Sequence, residues 1–238
     1  MGKNREDLRR EAGLISSLRG IPSDVSDRLQ IIEVVQNWAV WRDAGDWERF
    51  RTVWHDDGWM TATWFQGPAA KFIEVSKAGF DKGVSILHFL GGSSVDVQGN
   101  RAVAQTKMTI SQRGELDKET VDVVCTGRFY DFFEKRPSTA GDAPGGRWAI
   151  VRRQPIYEKD RMDLLDPSAS VKLDPDLLGS FPEGYRHLAY LQTKLGFKIK
   201  QDLPQLKGAA VERLYRHGNA WLAGAACAFP DEDRPSAA

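Results

Sequence analysis

Ala39-Val40-Trp41-Arg42-Asp43-Ala44-Gly45-Asp46-Trp47 is the stretch that joins two predicted helices. Apolar side chains recur at helical spacing through residues 26–44, and this pattern predicts a mostly buried first helix. Asp43 falls at the end of that helix, in line with its apolar stripe. The glycine that follows ends the helix, and the next aspartate is a typical N-cap for a second helix over residues 47–54. The stretch therefore predicts a carboxylate aligned with the core.

One more helix and a series of strands are predicted downstream. A short strand over residues 58–64 precedes a third helix, which opens at Gly67-Pro68 and runs to about residue 82. Alternating apolar residues and turn signals then predict antiparallel strands, with a hairpin at Gly99-Asn100. These strands include residues 86–90, 121–133 and 148–157. Because the helices come first and the strands afterwards, the order favours an α+β fold with helices on one face of a curved antiparallel sheet.

The chain divides into three predicted segments. Residues 1–25 are a polar lead-in, and residues 26–160 form the catalytic domain. Residues 161–238 are interrupted by several Asp-Pro and Phe-Pro pairs and contain two short predicted helices, over residues 185–195 and 209–222. This C-terminal helical extension is too small and broken for an independent domain. We expect it to wrap the core or a neighbouring subunit.

Composition and charge exclude several classes of partner. The 238 residues carry 33 basic and 33 acidic side chains, and no basic run interleaves with aromatics, so we expect no nucleic-acid partner. No run approaches the roughly 18 apolar residues of a membrane span, so we expect no membrane association. The first 19 residues lack an apolar signal core, and the two cysteines form no CxxC motif. A reducing, cytoplasmic location is the expectation.

The sequence contains no motif typical of a metal or cofactor site. His187 and His217 have no carboxylate or cysteine at ligand spacing. The chain has no P-loop, no dinucleotide fingerprint and no Gly-x-Ser-x-Gly nucleophile elbow. We therefore expect no metal and no cofactor.

Five runs in order resemble the SnoaL-like group of the nuclear transport factor 2-like superfamily. The first is the stretch quoted above, in which an acidic residue and a small break precede an Asp-Trp pair. The others are His88-Phe89-Leu90-Gly91, Gly99-Asn100-Arg101-Ala102, Gly127-Arg128-Phe129-Tyr130-Asp131 and Arg147-Trp148-Ala149-Ile150. The resemblance covers roughly residues 25–160. Within the group the chain is most similar to hexachlorocyclohexane dehydrochlorinase, more distantly to scytalone dehydratase, and it resembles the cofactorless diarylpropane formaldehyde lyases of lignin catabolism.

The resemblance implies a fold, a site and an assembly. It implies a cone-shaped curved sheet with the three N-terminal helices packed on its concave face. In the similar enzymes, an aspartate near the end of the first helix orients a histidine that projects into the cone. The matching positions here are Asp43 and His88. The resemblance also implies a homo-oligomer, with a trimer favoured and a dimer as the alternative.

An Asp–His pair is suited to moving a proton without a metal or a nucleophile. A carboxylate bonded to one ring nitrogen fixes the tautomer and makes the other nitrogen a better base. The structural alternative is that His88 is a core residue beside Ile86 and Leu90, and that Asp43 is a helix-end residue. His55, at the end of the second predicted helix, is expected to be exposed.

Other side chains could complete such a site. An inward Lys107, Arg128 or Arg152 could stabilise an oxyanion or hold a leaving group, and each could equally point outward as a solvated or structural residue. Tyr130 and Tyr157 could donate a proton to a leaving oxygen or serve only in packing. The predicted pocket walls are aromatic, with core packing as the alternative for each; they are Trp59, Trp64, Phe65, Phe72 and Phe89.

These observations predict a cofactor-independent lyase. The substrate would be a small hydrophobic, aromatic compound of the kind released from lignin, and the leaving group would be water, formaldehyde or halide. One alternative is an isomerase or cyclase that uses the same proton shuttle with a second acid across the pocket. The other is a non-catalytic ligand-binding module, which would be favoured by a cone plugged with side chains.

Overall fold

The computed structural model of the protein describes residues 23–137 and 146–227. Most of the predicted lead-in, the residues after Cys227 and the Gly/Pro-rich segment around residues 138–145 lie outside the described residues. Within the described ranges, no helix is long and apolar enough to cross a membrane.

The three predicted N-terminal helices are present. They are α1 (Ser23–Ala44), α2 (Trp47–Thr52) and α3 (Ala69–Asp81). Gly45 adopts a φ of 71° between the first two, a left-handed conformation that glycine tolerates best. Asp46 caps α2, and its carboxylate accepts a hydrogen bond from the Arg49 backbone N–H at 3.2 Å. The chain then turns directly into a strand, so α2 ends two residues before the predicted boundary.

The strands form one curled, unclosed sheet of six members. They are β1 (Trp54–Thr61), β2 (Gln66–Pro68), β3 (Ser85–Gln98), β4 (Arg101–Leu116), β5 (Glu119–Arg136) and β6 (Arg147–Leu164). Their order is β2-β1-β6-β5-β4-β3. The predicted α+β class is therefore confirmed. One pairing differs from the predicted antiparallel pattern, because β1 runs parallel to β6. These two strands are far apart in sequence, so no hairpin forces them to be antiparallel.

Two bulges bend β6. Ile150 pairs with Phe133 and Arg152 with Phe132, so Val151 is an extra residue in the strand; Glu158 is extra in the same way. A bulge shifts the alternation of side chains between the two faces by one residue. Ile150 faces the helices, whereas Val151 packs in the cluster on the opposite face. The first bulge therefore decides which of two consecutive arginines faces the helices.

The extension packs on both faces of its own sheet. It contains α4 (Pro175–Gly179), a 3₁₀ turn (Glu183–Tyr185), α5 (Arg186–Lys194) and α6 (Ala209–Leu222). α5 buries Leu188 and Leu191 in the larger apolar cluster, on the face that carries α1. α6 places Leu214 and Trp221 in the smaller cluster on the opposite face. Burial of such side chains stabilises the fold by about 1.5–3 kcal/mol each.

Candidate functional site

Asp43 and His88 are in direct contact. Asp43 lies in the last turn of α1, and His88 lies on β3. The His88 Nδ1 is 2.8 Å from Asp43 Oδ1, and the His88 backbone N–H donates to Asp43 Oδ2 at 2.5 Å. One carboxylate thus fixes both the ring and the backbone of the histidine. The side chains are 7% exposed for His88 and 12% for Asp43.

Burial and charge set the resting protonation state of the pair. Burial works to raise the pKa of Asp43, but hydrogen bonds from His88 and the positive charge of Arg42 outweigh it and lower that pKa. Burial lowers the pKa of His88 below its ordinary value of 6.5, and Arg42 and Arg153 add to this effect, although Asp43 opposes it. An ionised carboxylate can only accept hydrogen bonds, so the neutral imidazole carries its proton on Nδ1. Nε2 is then free to act as a base.

Arg42 is a cationic member of the site. Its Nη1 donates to Asp43 Oδ1 at 3.2 Å and to the Ile86 carbonyl at 3.1 Å. The side chain is buried, lines the cavity beside His88, and has no acceptor for its Nε among the described residues. Burial lowers the pKa of this guanidinium, with Asp43 opposing the shift. Arg42 was not predicted from the sequence. Its position directly before Asp43 could have indicated it, because both residues lie at the same end of α1.

Aromatic rings hold the His88 imidazole from the core side. The Trp38 ring packs edge-on against it, with centroids 5.0 Å apart and an interplanar angle of 87°. Arg153 lies over both Trp38 and Phe129, with its Cζ 4.3 Å and 3.9 Å from the ring centroids. Asp131 accepts two hydrogen bonds from Arg153, each 2.7 Å long. Because these contacts fix the rings, they also fix the imidazole that packs against them.

A small cavity lies next to the pair. Its volume is about 40 Å³, enough for a few water molecules. Side chains from α1, α3, α5, the sheet and the segment between β1 and β2 line it: Trp38, Arg42, Met60, Ala62, Thr63, Trp64, Phe72, Ile86, His88, Ile110, Gln112, Phe129, Pro155, Tyr157, Leu188 and Gln192. The extension therefore closes the concave side of the sheet over the candidate site.

A chain of polar groups crosses this cavity opposite His88. The Thr63 hydroxyl donates to Gln192 Oε1 at 2.5 Å, and Gln192 Nε2 donates to Gln112 Oε1 at 2.9 Å. Tyr157 hydrogen-bonds with Thr63; burial raises the pKa of its phenol well above the ordinary value, so it stays neutral. Sequence patterns gave no signal for Thr63, Gln112 or Gln192, because single neutral polar residues occur throughout the chain.

Three of the five predicted pocket walls lie at or next to the cavity. Trp64 and Phe72 line it, and Phe65 packs behind them with ring centroids 5.8 Å and 5.5 Å away. The prediction is wrong for Phe89, which is 73% exposed. It is the neighbour of His88 on β3, and successive residues of a strand point to opposite faces. Trp59 is half-buried and is not among the lining residues.

Four of the predicted supporting residues face away from His88. Lys107 is exposed, and Arg128 is held by Glu158, Gln105 and Tyr215 on the face that carries α6. The other two pack on that same face: Tyr130 lies in the smaller apolar cluster, and Arg152 lines a cleft with residues of α6. For Arg152 the reason is the bulge at Val151, which turns Arg153 toward the helices instead. Tyr157 alone of this group lines the cavity.

The other histidines have structural contacts. His55 is buried, not exposed as expected, and its Nε2 lies 2.8 Å from the Glu134 carbonyl oxygen. His187 Nδ1 lies 2.8 Å from Asp160 Oδ1, and the same carboxylate accepts the Leu188 backbone N–H at 2.8 Å. Asp160 of β6 therefore fastens the start of α5. The described residues contain no group of three or more His, Cys, Asp or Glu that could hold a metal ion.

Comparison with known proteins gives a family for this fold and site. The SnoaL-like domain model matches residues 23–154, more than half of the chain. The chain is 37% identical over 211 residues to the uncharacterized protein AN9274 of Emericella nidulans, covering 84% of this chain and 87% of that one. It is 38% identical over 182 residues to pea pathogenicity protein 2 of Fusarium vanettenii, covering 75% of each.

The chain is also similar, at lower identity, to solved structures. A putative scytalone dehydratase from Novosphingobium aromaticivorans is 12% identical with a TM-score of 0.47, and LinA is 11% identical with a TM-score of 0.48. Each alignment covers 63% of this chain and 97% of the other. On the family match and the fungal relatives, the chain belongs to the SnoaL-like domain family.

Proposed function

We propose that the protein is a cofactor-independent lyase that acts on a small, hydrophobic, aromatic compound. The observation that carries this proposal is the contact between Asp43 and His88 beside a small, largely apolar cavity. A neutral histidine with one nitrogen fixed by a carboxylate is a general base.

The reaction would be an elimination started by His88. Nε2 takes a proton from a carbon next to the one that bears the leaving group, and the C–H electron pair becomes the new double bond. The leaving group departs with its own bonding pair. Asp43 stabilises the imidazolium that forms, as carboxylates do in other Asp–His pairs. General base catalysis of this kind contributes about 10²–10⁴-fold in rate.

The cavity offers two groups that could assist departure. The Arg42 guanidinium can stabilise a departing halide or oxygen, because it is charged and buried. Its Nε–H has no acceptor among the described residues, so this donor is available to the leaving group. If the leaving group is hydroxyl, the imidazolium of His88 can return its proton and release water, which closes the proton balance. For loss of formaldehyde, Nε2 removes the O–H proton of a hydroxymethyl group, and the O–H electron pair forms the C=O bond of formaldehyde. The C–C bond to that group breaks, its electron pair forms the new C=C bond, and the leaving group departs from the next carbon with its own bonding pair.

The lining residues favour a lyase over an isomerase with a separate acid. Apart from Asp43 behind His88, the described residues at the cavity include no carboxylic acid. The groups across from His88 are the neutral side chains of Thr63, Gln112, Gln192 and Tyr157. A non-catalytic binding module is the second candidate, and the observation that favours it is the 40 Å³ volume, which is too small for an aromatic ring without movement of a side chain.

A substrate screen with a matched histidine control tests the proposal. Wild type, His88→Ala and His217→Ala would be assayed with aryl diols, β-halo aryl compounds and hydroxy-diarylpropanes, with and without a chelator. The readouts are conjugated-alkene absorbance, formaldehyde and halide. His217 lies on the opposite face, in the cleft with α6, and serves as the control. We expect chelator-resistant turnover that falls about 10²-fold or more in His88→Ala alone. Turnover that is equal in wild type and His88→Ala would exclude His88 as the base.

A further inference from the structure

The roof of the cavity comes from the segment beyond the family match. The SnoaL-like domain match ends at residue 154, whereas α5 contributes Leu188 and Gln192 to the cavity wall. The cavity volume of about 40 Å³ compares with roughly 150 Å³ for a protein cavity that binds benzene. An aromatic ring therefore needs more room than the cavity holds, and an outward shift of the roof would provide it. Gln192 is the roof residue whose polar contacts would break in that movement.

A polar bridge of hydrogen bonds joins Thr63, Gln192 and Gln112 across the cavity. Each donor in this bridge has one acceptor, so the bridge has a direction. The single hydroxyl proton of Thr63 goes to Gln192 Oε1. Gln192 in turn donates to Gln112. Gln112 Nε2 has no acceptor among the described residues, although the side chain is only 2% exposed and lines the cavity. The bridge thus ends in an unused N–H donor that faces the substrate space.

A polar bridge is an unusual way to hold a roof onto an apolar cavity. Leucine would pack there without the cost of burying an amide, and Leu188 does so one turn earlier on α5. Hydrogen bonds have one advantage over apolar packing: they can be exchanged for bonds to an oxygen atom of a ligand. If the ligand lacks such an oxygen, opening the roof leaves buried amides without partners, which is costly.

We propose that Gln192 and Gln112 select substrates that carry a hydrogen-bond acceptor oxygen, such as an aryl carbonyl compound. When α5 moves, Gln192 Nε2 loses its hydrogen bond to Gln112 Oε1. The ligand oxygen then accepts hydrogen bonds from Gln192 Nε2 and from Gln112 Nε2. The inference rests on the proposed function only in that the same cavity binds the substrate. It concerns recognition, so it can be tested without turnover.

A pair of unreactive ligands of nearly equal shape tests this selection. Acetophenone and α-methylstyrene differ only by a carbonyl oxygen in place of a methylene group. Their dissociation constants would be measured by calorimetry, and by the fluorescence of Trp38 and Trp64, which line the cavity. The comparison is made between wild type and Gln112→Leu/Gln192→Leu. The double replacement leaves neither glutamine amide unpaired, and only the Thr63 hydroxyl loses an acceptor, so this variant is expected to fold.

We expect the preference for the ketone, given as the ratio of the two dissociation constants, to fall about 3- to 10-fold in the double variant. Comparing ratios cancels the difference in hydration between the two compounds. Gln154→Leu is the control, because Gln154 is equally buried on the opposite face, and its ratio should match wild type. An unchanged ratio in the double variant, or no binding of either compound to wild type, would overturn the inference. A changed ratio with no lyase activity would leave it standing while rejecting the proposed function.

Discussion

Arg153 and Asp131 form an ion pair in which neither side chain has any exposed surface. The pair lies under the rings that hold His88, and its guanidinium covers both Trp38 and Phe129. The interior solvates an isolated charge poorly, so each member depends on the other. A pair in this position links the stability of the core to the orientation of the imidazole.

Removing one member of this pair should destabilise the fold strongly. We expect Asp131→Asn to lower the free energy of unfolding by about 3–5 kcal/mol, because Arg153 is left as a buried charge without its counterion. Replacing both residues by leucine should recover most of that loss. Urea denaturation of the two variants and wild type measures the effect. A single variant as stable as wild type would mean that water or another group solvates the guanidinium.

Neutralising Asp43 should reduce activity without removing His88. In Asp43→Asn, the amide can donate to Nδ1 and favour the tautomer with its proton on Nε2, which can no longer act as a base. We expect kcat to fall about 10²–10⁴-fold, with a smaller change in KM. Asp81→Asn, on the exposed end of α3, is the control and should behave as wild type. Equal rates for both variants would show that the carboxylate does not orient the base.

The pH profile of the reaction should report the lowered pKa of His88. Because burial lowers that pKa below 6.5, the base stays neutral at pH values where an ordinary histidine is protonated. We expect kcat/KM to stay constant as pH falls through 6.5 and to decline only below it. Rates measured between about pH 4 and 9 test this. A decline that begins above pH 6.5 would contradict the assignment of His88 as the free base.

The same shift predicts how stability depends on acid. The unfolded chain binds a proton at His88 near its ordinary pKa of 6.5, whereas the folded chain binds it only at lower pH. Stability contributed by the neutral histidine is therefore present above pH 6.5 and is lost as pH falls toward the folded pKa. His88→Gln should reduce the loss of stability over this range. Thermal unfolding of both proteins at pH 7.5 and at several lower values provides the comparison.

The exposed residues of β3 lead to a prediction about assembly. Leu87 and Phe89 are 61% and 73% exposed on an edge strand, and Leu206 nearby is 55% exposed. Apolar surface on a sheet edge favours association. We expect wild type to sediment as an oligomer, with a trimer favoured, and Leu87→Ser/Phe89→Ser to sediment as a smaller species. Leu29→Ser, exposed on α1, is the control. A monomeric wild type would contradict the prediction.

The sequence predicted the parts of the site that depend on local pattern. The helix end at Gly45 predicts the place of Asp43, the family-like runs predict that of His88, and the structure brings the two side chains into contact. The sequence left the direction of Arg152 open and did not single out Arg153, and simple alternation from Ile150 would turn Arg152 toward the helices. A one-residue bulge at Val151 reverses that choice, and nothing in the sequence marks the bulge. The roof residue Gln192 was also missed, since its partners Thr63 and Gln112 are 129 and 80 residues away along the chain.

Because α5 forms part of the cavity wall, different regions of the gene encode the Asp43–His88 pair and the roof above it. The pair that would move the proton is encoded between residues 43 and 88, whereas the roof is encoded after residue 185. Mutations or exchanges in the later coding region can therefore alter which molecules enter without changing Asp43 or His88. Relatives that align well through the first region can thus differ in substrate, and comparison of their later regions is the more informative guide to what each one accepts.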